Sequence, residues 1–352
     1  MKSILILSDS FNGYGAEHIL KWLGNSLYEA GLNVTFCSIF DTEKNKELNE
    51  EVEYYQMCFP KDIYDKYYFL KGICFIRNLC EKRHFDYLVT FHTNPFLMAF
   101  LAKPFGSYKI IHSERDNPYA RNTKATHFKM WLYRFADRVV FQTRGAQEYF
   151  DKRTQKESVI IANPIEIPDF KWEGECSKTI STVGRLWILF KRQDILIEAF
   201  RKVLEKYPDY KLKLYGDGQD RGKLESMVEK YGIAANVFFL GKVNNVQNHL
   251  KDDEIFVLTS DSEGMPNALM EAMALGMPVI STDCEPGGAR ALINDGVDGF
   301  LVKRSSVDGL TTSLLKLIGD REMQKRLGNN AREKMKQFTP ELVFKQWLAC
   351  FK

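Results

Sequence analysis

The sequence predicts an α/β protein built from two Rossmann-like domains. Apolar strand-like runs alternate with amphipathic helical stretches from end to end, the pattern of parallel sheets with crossover helices. The 352 residues exceed one ordinary domain and suit two of roughly 150 to 200 each. A proline-marked connector, Val159 to Asp169, separates two successive series of such runs.

The first series opens with Ser3 to Ser8, an apolar run too short for a signal-peptide core, with no small-residue cleavage site. It continues through Val34 to Ile39, Tyr87 to Phe91, Lys109 to His112 and Val139 to Gln142. The second series comprises Thr179 to Val183, Lys211 to Tyr215, Val237 to Leu240, Ile255 to Leu258, Val279 to Ser281 and Gly299 to Val302. Ligands of such sheets bind at the carboxyl ends of the strands, so the expected site is a cleft between the domains.

Hydrophobic content of 45% with 27% charged residues is that of a soluble globular chain, and no apolar run approaches the roughly 20 residues that span a bilayer. A formal charge of +3 is too small to point to nucleic acid. The seven cysteines form no Cys-x-x-Cys pair and fit reduced thiols in a cytoplasm. No His/Cys cluster has metal-ligand spacing and no Asp-x-Asp occurs, so no metal and no cofactor are expected.

The most informative segment is Ser262 to Ala272, with Glu263 and Glu271 on either side of a turn that opens an apolar helix. Pro266 suits a first helical turn, where its missing N–H costs nothing. Backbone amides of Gly264, Met265, Asn267 and Ala268 at that helix start attract phosphate, by direct hydrogen bonding and through the helix dipole. Glu271, further in, can reach ribose hydroxyls. Gly276 to Thr282 then reads as helix stop, turn and next strand.

Other turns carry weaker signals. Gly13-Tyr14-Gly15-Ala16-Glu17 follows the first strand as a glycine loop that lets backbone approach a ligand, and an ordinary strand-to-helix turn explains it about as well. Gly184-Arg185-Leu186 ends a strand and Lys191 opens the next helix; together two cations can neutralise a diphosphate without metal. Tyr215-Gly216-Asp217-Gly218 is a further tight turn at a strand end.

This arrangement resembles the retaining glycosyltransferases of family 4, whose two facing Rossmann-like domains are called the GT-B fold. The resemblance rests on Gly13 to Glu17, Asn163-Pro164-Ile165, Gly184-Arg185-Leu186 with Lys191, Gly216-Asp217-Gly218, Phe239-Leu240-Gly241, Glu263 to Glu271, and Gly296 to Val302. Ser113-Glu114-Arg115-Asp116-Asn117-Pro118-Tyr119 and Thr282 to Gly288 resemble a subgroup that builds bacterial surface polysaccharides. The resemblance implies an acceptor-side domain of residues 1–164, a nucleotide-sugar domain of residues 165–338, and a last helix, 339–352, packing back on the first. It implies Arg185 and Lys191 on the donor diphosphate, Glu263 on the donor sugar and Glu271 on the ribose, with a UDP-sugar as donor substrate. The acceptor so implied is a glycan on a polyprenyl diphosphate, and the place of work the cytoplasm or the inner face of the cell membrane.

Two departures leave alternatives open. Leu186-Trp187-Ile188-Leu189-Phe190 is one residue longer than the family's usual spacing and far more apolar, so either Lys191 or Arg192 faces the phosphate, and the apolar residues either pack inward or touch a lipid carrier or a partner. The family often places a histidine near the donor sugar; His112 comes slightly early and Arg115 stands nearer that place. Residues 61–84 mix Lys61, Lys66, Lys71, Arg77, Lys82 and Arg83 with aromatic residues, a pattern of helix packing or of docking on an anionic bilayer. Rival readings are a UDP-sugar epimerase or hydrolase, for which no extra acid and base stand out, and a non-catalytic nucleotide-sugar-binding partner. A dinucleotide oxidoreductase lacks its Gly-x-Gly-x-x-Gly after the first strand.

Overall fold

The structure, a computed structural model, describes residues 2–12, 15–57, 67–120 and 123–352. The chain divides into two compact units, Met1–Pro164 with Glu341–Lys352, and Ile165–Pro340.

The first unit holds seven parallel strands, β1 (Ser3–Ser8), β2 (Asn33–Ser38), β3 (Glu53–Gln56), β4 (Tyr87–Thr90), β5 (Lys109–Glu114), β6 (Arg138–Phe141) and β7 (Ser158–Ile160). Their order is β3-β2-β1-β4-β5-β6-β7. Ile4 to Leu7 of β1 are wholly buried, which explains a continuous apolar run where a half-solvated strand would alternate. The helix Ala16–Glu29 buries Ile19, Leu20, Leu23 and Leu27. It lies so close to the sheet that a Cβ on Gly24 would stand 2.2 Å from the Phe36 ring.

Two strands of this unit were not anticipated. β3 (Glu-Tyr-Tyr-Gln) is half-buried along its length, and β7 has three residues, two of them inside what reads as a connector; both are edge strands, where one neighbour suffices to hold a weakly apolar segment. The last helix, Pro340–Leu348, is clamped to this unit by aromatic contacts. Trp347 stacks on Phe91 with centroids 5.9 Å apart, Phe344 meets Trp22, and Phe351 meets Tyr87.

The second unit holds β8 (Thr179–Val183), β9 (Lys211–Tyr215), β10 (Val237–Gly241), β11 (Ile255–Leu258), β12 (Val279–Thr282) and β13 (Phe300–Val302), all parallel, in the order β10-β9-β8-β11-β12-β13. Ile195, Leu196, Ala199, Phe200 and Val203 from the helix Gln193–Leu204 join the core beside β8 and β9 residues. Each large aliphatic side chain buried there contributes on the order of 1.5–3 kcal/mol. In both sheets the strand order reverses once, between β1 and β4 and between β8 and β11. The carboxyl ends at such a reversal are where open α/β sheets hold ligands.

Of the basic aromatic stretch, residues 61–66, Lys61 and Lys66 among them, lie outside the described residues. The remainder forms the helix Tyr68–Lys82, which packs through Gly72, Ile76 and Leu79 and leaves Leu70 exposed. Among the described residues no helix is long and apolar enough to cross a membrane.

Candidate functional site

The second unit assembles its candidate residues around the reversal between β8 and β11. The loop after β8 carries Gly184, Arg185 and Leu186, and the loop after β9 carries Gly216 and Gly218. The two loops lock through their backbones: the Gly184 amide donates to Tyr215 O at 2.9 Å and the Leu186 amide to Asp217 O at 3.1 Å. Gly216 has φ +127°, and a Cβ there would stand 2.0 Å from the carbonyl oxygen of Gly184. Alanine at this position forces both strain and a backbone collision. We expect Gly216→Ala to destabilise the fold by about 1–3 kcal/mol through strain at this backbone position, measurable by urea unfolding; wild-type stability would show that the two loops can part to admit a side chain.

The apolar insertion after Arg185 folds as a single helical turn, Ile188–Lys191. Ile188 packs against the core, Trp187 and Phe190 meet edge to face with centroids 4.5 Å apart, and Leu189 alone of the four is fully exposed. Inward packing thus accounts for most of the segment. Arg185 is exposed, with its guanidinium over the Trp187 ring.

The turn also decides between the two cations that follow it. Arg192 adopts a left-handed backbone, φ 50°, and its guanidinium is taken up by Asp194, Asp261 and Ser305. The two carboxylates raise its already high pKa further, Asp194 foremost. Lys191 instead donates through Nζ to Glu263 Oε1, which also accepts from Ser260 Oγ at 2.7 Å. Lys191 is therefore the cation brought to Glu263, while Arg192 braces the turn.

Glu263 sits in the loop after β11, fixed by its amide donating to Glu285 O at 2.8 Å. The helix begins at Asn267, one residue later than expected, so Pro266 is its N-cap with extended ψ of 101° rather than its first residue. Gly276 closes it in the left-handed conformation, φ 86°. Gly264 is pressed against the next loop, since a Cβ on Gly288 would stand 2.5 Å from Gly264 O. The Met265 side chain is buried, and Asn267 and Ala268 are half-buried on the first turn.

Glu271 is the most perturbed carboxyl of this group. Burial alone pushes it up to about 7, and no donor among the described residues reaches its carboxylate. By exposed surface Glu271 is half-buried, and a carboxyl so perturbed at a strand-order reversal is a candidate functional position.

The first-unit candidates fare differently. Gly13 lies outside the described residues. Gly15, φ 85°, caps the helix Ala16–Glu29, with nothing within 4 Å of where a Cβ would stand. His112 is corrected: it is wholly buried on β5, its Nδ1 3.0 Å from Thr90 Oγ1 and its ring packed against those of Tyr133 and Phe96, 4.0 Å and 4.9 Å away. Arg115 is also buried, donating to Asn163 Oδ1 at 2.7 Å and lying over the rings of Phe91 and Trp347. Burial pulls its pKa down to about 9. Its place is between the last helix and the end of the first unit.

Sequence reading missed Asp41, a buried carboxylate that accepts from the Phe11 amide at 2.6 Å and Asn12 Nδ2 at 2.9 Å, and also from Ser10 Oγ. It shapes the loop after β1 from a position after β2, a distance of 30 residues that no local motif reports.

Residues 167–334 match the family model described as glycosyl transferases group 1. An uncharacterized glycosyltransferase of Haemophilus influenzae is 25% identical over 341 residues, covering 95% of each chain. A Campylobacter jejuni enzyme named GalNAc-alpha-(1->4)-GalNAc-alpha-(1->3)-diNAcBac-PP-undecaprenol alpha-1,4-N-acetyl-D-galactosaminyltransferase is 26% identical, covering 99% of this chain and 98% of that one. Among solved structures, TarM superposes with a TM-score of 0.85 at 16% identity over 100% of this chain and 99% of its own. Anabaena HepE, solved with UDP-glucose, superposes with a TM-score of 0.82 at 20% identity over 99% of each. The fold is that of the GT-B glycosyltransferases. The second unit carries the group 1 glycosyl transferase domain, and the chain is a glycosyltransferase.

Proposed function

We propose that the chain is a retaining, metal-independent transferase that moves a hexose or N-acetylhexosamine from a UDP-sugar to a lipid-linked glycan in bacterial surface-polysaccharide synthesis. The observation that carries this reading is the convergence of Arg185, the Lys191–Glu263 pair and the unpartnered Glu271 on the β8/β11 reversal. Arg185 and Lys191 would neutralise the departing diphosphate, Glu263 would hold a sugar hydroxyl, and Glu271 would accept from the ribose. This reading requires no protein nucleophile. The leaving phosphate oxygen then takes the acceptor proton on the same face of the sugar.

The choice of uracil leans on the HepE structures that hold UDP and UDP-glucose. The lipid-linked acceptor leans on the C. jejuni relative, whose name includes undecaprenol. A groove of about 470 Å³ on the first unit, lined by Phe69, Leu97, Phe100, Leu101, Phe128 and Leu132, offers a hydrocarbon chain an apolar seat with Lys129 at its rim.

Saturation-transfer NMR against UDP-, GDP- and ADP-sugars tests the donor side, repeated with Glu271→Ala. Selective binding of a UDP-sugar, weakened by the substitution, is the expected result. Equal response to all three nucleotides would remove the choice of uracil, and no response would remove the donor reading altogether.

A further inference from the structure

The helix Lys124–Trp131 and the 3₁₀ turn Leu132–Phe135 that continues it are apolar on two sides. Met130 and Tyr133 join the core of the first unit. Phe128, Trp131 and Phe135, spaced three and four apart, face solvent at 61%, 43% and 36% exposure. Their rings meet in turn: Phe128 stacks on Trp131 with centroids 5.9 Å apart, and Trp131 meets Phe135 edge to face at 5.5 Å. Phe100 of the helix Thr93–Ala102 stacks on Phe135, and its neighbour Leu101, also exposed, lines the apolar groove together with Phe128. Patch and groove are thus one apolar surface. A helix that only covers a core keeps its outer side polar, whereas a contiguous exposed apolar patch marks a face that meets a partner or a membrane.

The charge on this face has one sign. From Thr123 to Ala136 the chain holds Lys124, Lys129 and Arg134 and no acid, and from Leu97 to Ser107 it holds Lys103 and no acid. Arg134 and Arg153 lie over the rings of Trp131 and Phe135, 5.0 Å and 5.3 Å from the centroids. A cation over an exposed ring sits at the level of the apolar surface, the arrangement of side chains where lipid headgroups meet acyl chains. Of the acids at the margin, Asp137 is held by Lys103 and Asp151 faces Arg134. Lys124 and Lys129 are exposed, enter no ion pair among the described residues, and carry the uncompensated charge. A second copy of the chain meeting this face about a twofold axis would set these cations against their own copies, which is costly. A layer of anionic headgroups neutralises them, and the aromatic rings find their place just below it.

We infer that the first unit docks on an anionic lipid bilayer through the face built by Lys124 to Phe135 with Leu101. Phe128, Trp131 and Phe135 enter the boundary between headgroups and acyl chains, and Lys124 and Lys129 meet the headgroup phosphates. The inference deepens the proposed transfer to a lipid-linked glycan and rests on that reading for its use: docking presents the hydrocarbon chain of the acceptor to the groove that Phe128 and Leu101 share.

The test is flotation of the full chain with vesicles of phosphatidylglycerol and phosphatidylcholine in equal parts, and with vesicles of phosphatidylcholine alone, beside a titration with UDP. The chain is expected to float with the anionic vesicles, with a blue shift of tryptophan emission that Trp131→Phe removes. Lys124→Gln combined with Lys129→Gln should lower partitioning about tenfold or more, as should Phe128→Ser combined with Trp131→Ser, each pair leaving UDP affinity unchanged. Because the substituted side chains are exposed, the urea midpoints of both variants should equal that of wild type; should the aromatic pair fail to fold, the lysine pair carries the test alone. No flotation with either vesicle, equal flotation with both, or wild-type flotation of the lysine pair would overturn the inference. A doubling of mass in lipid-free solution that the aromatic pair abolishes would also overturn it, making the face an interface between copies of the chain. Flotation with the stated losses by a chain that binds no UDP would uphold docking and overturn the transferase reading instead.

Discussion

Glu271→Gln should stabilise the ligand-free chain at pH 8 and weaken UDP at the same pH. Burial raises this carboxyl from its ordinary 4.5 to about 7, with no charge or donor to offset it. Below pH 4.5 the group is protonated in both folded and unfolded chains and contributes no difference. As pH rises from 4.5 to 7 the unfolded chain ionises first, so stability declines across that window and is flat above it. The shift corresponds to a loss on the order of 3 kcal/mol. A glutamine cannot ionise, so chemical denaturation should find the variant equal to wild type near pH 4.5 and more stable by about 1–3 kcal/mol at pH 8, part of the gain being offset by desolvation of the amide. Nucleotide binding has the opposite sign. Ribose hydroxyls donate best to the ionised carboxylate, so wild-type affinity for UDP should rise as pH passes from 6 to 8, while that of the variant stays level and lies about 10- to 100-fold lower at pH 8, the loss expected of one or two charge-assisted hydrogen bonds. Calorimetric titrations at the two pH values separate these effects. A variant no more stable than wild type at pH 8 would sink the assignment of Glu271 as an unpartnered acid, and unchanged UDP affinity its assignment to the ribose.

That the surroundings of Glu271 are legible in the sequence, while His112 and Arg115 stay open alternatives there, follows from what a local pattern encodes. Glu263, Pro266 and Glu271 lie on one strand-turn-helix segment, so their spacing along the chain is their arrangement in space. Thirteen residues from Leu258 to Met270 carry strand, loop and first helical turn with nothing inserted between them. His112 and Arg115 lie three residues apart at a strand end, where a shift of one position exchanges the two faces of the sheet. The structure extends β5 to Glu114, two residues beyond the expected end, so His112 lies within the strand, where its side chain is wholly buried, instead of at its ligand-facing end. The choice between Lys191 and Arg192 was hidden for a related reason: it depends on the left-handed backbone at Arg192 and on Asp261 and Ser305, 69 and 113 residues away. Both sheets read well because their central strands are buried on both faces and announce themselves as continuous apolar runs. The edge strands β3 and β7 are not so buried and gave no such signal.

Lys191→Met and Glu263→Met should each reduce kcat/KM by about 10²- to 10³-fold, the usual effect of removing one preorganised group that meets developing charge. Their effects on stability should differ in kind. The pair is partly buried, Lys191 at 25% and Glu263 at 14% exposure, so removing one partner leaves the other charged and poorly solvated. A fully buried pair broken in this way costs about 3–5 kcal/mol, and partial exposure reduces that to roughly 1–3 kcal/mol. Lys191→Met leaves Glu263 with Ser260 as its remaining donor and should lie at the lower end. Glu263→Met leaves the ammonium without a carboxylate and should lie at the upper end. The double variant replaces both charges by apolar side chains of similar length, which removes the stranded charge and should restore stability to within about 1 kcal/mol of wild type. On the proposed roles activity is not restored in that way, because the diphosphate would still lack the Lys191 ammonium, with Arg185 alone remaining, and the donor sugar the Glu263 carboxylate. Its kcat/KM should stay as low as in the worse single variant, and the two losses should not multiply, since the groups act on the same departing bond. Urea unfolding and initial rates on the four chains form one cycle. Recovery of both stability and activity in the double variant would make the pair a structural brace, and recovery of stability alone identifies it as the charge apparatus of the donor site.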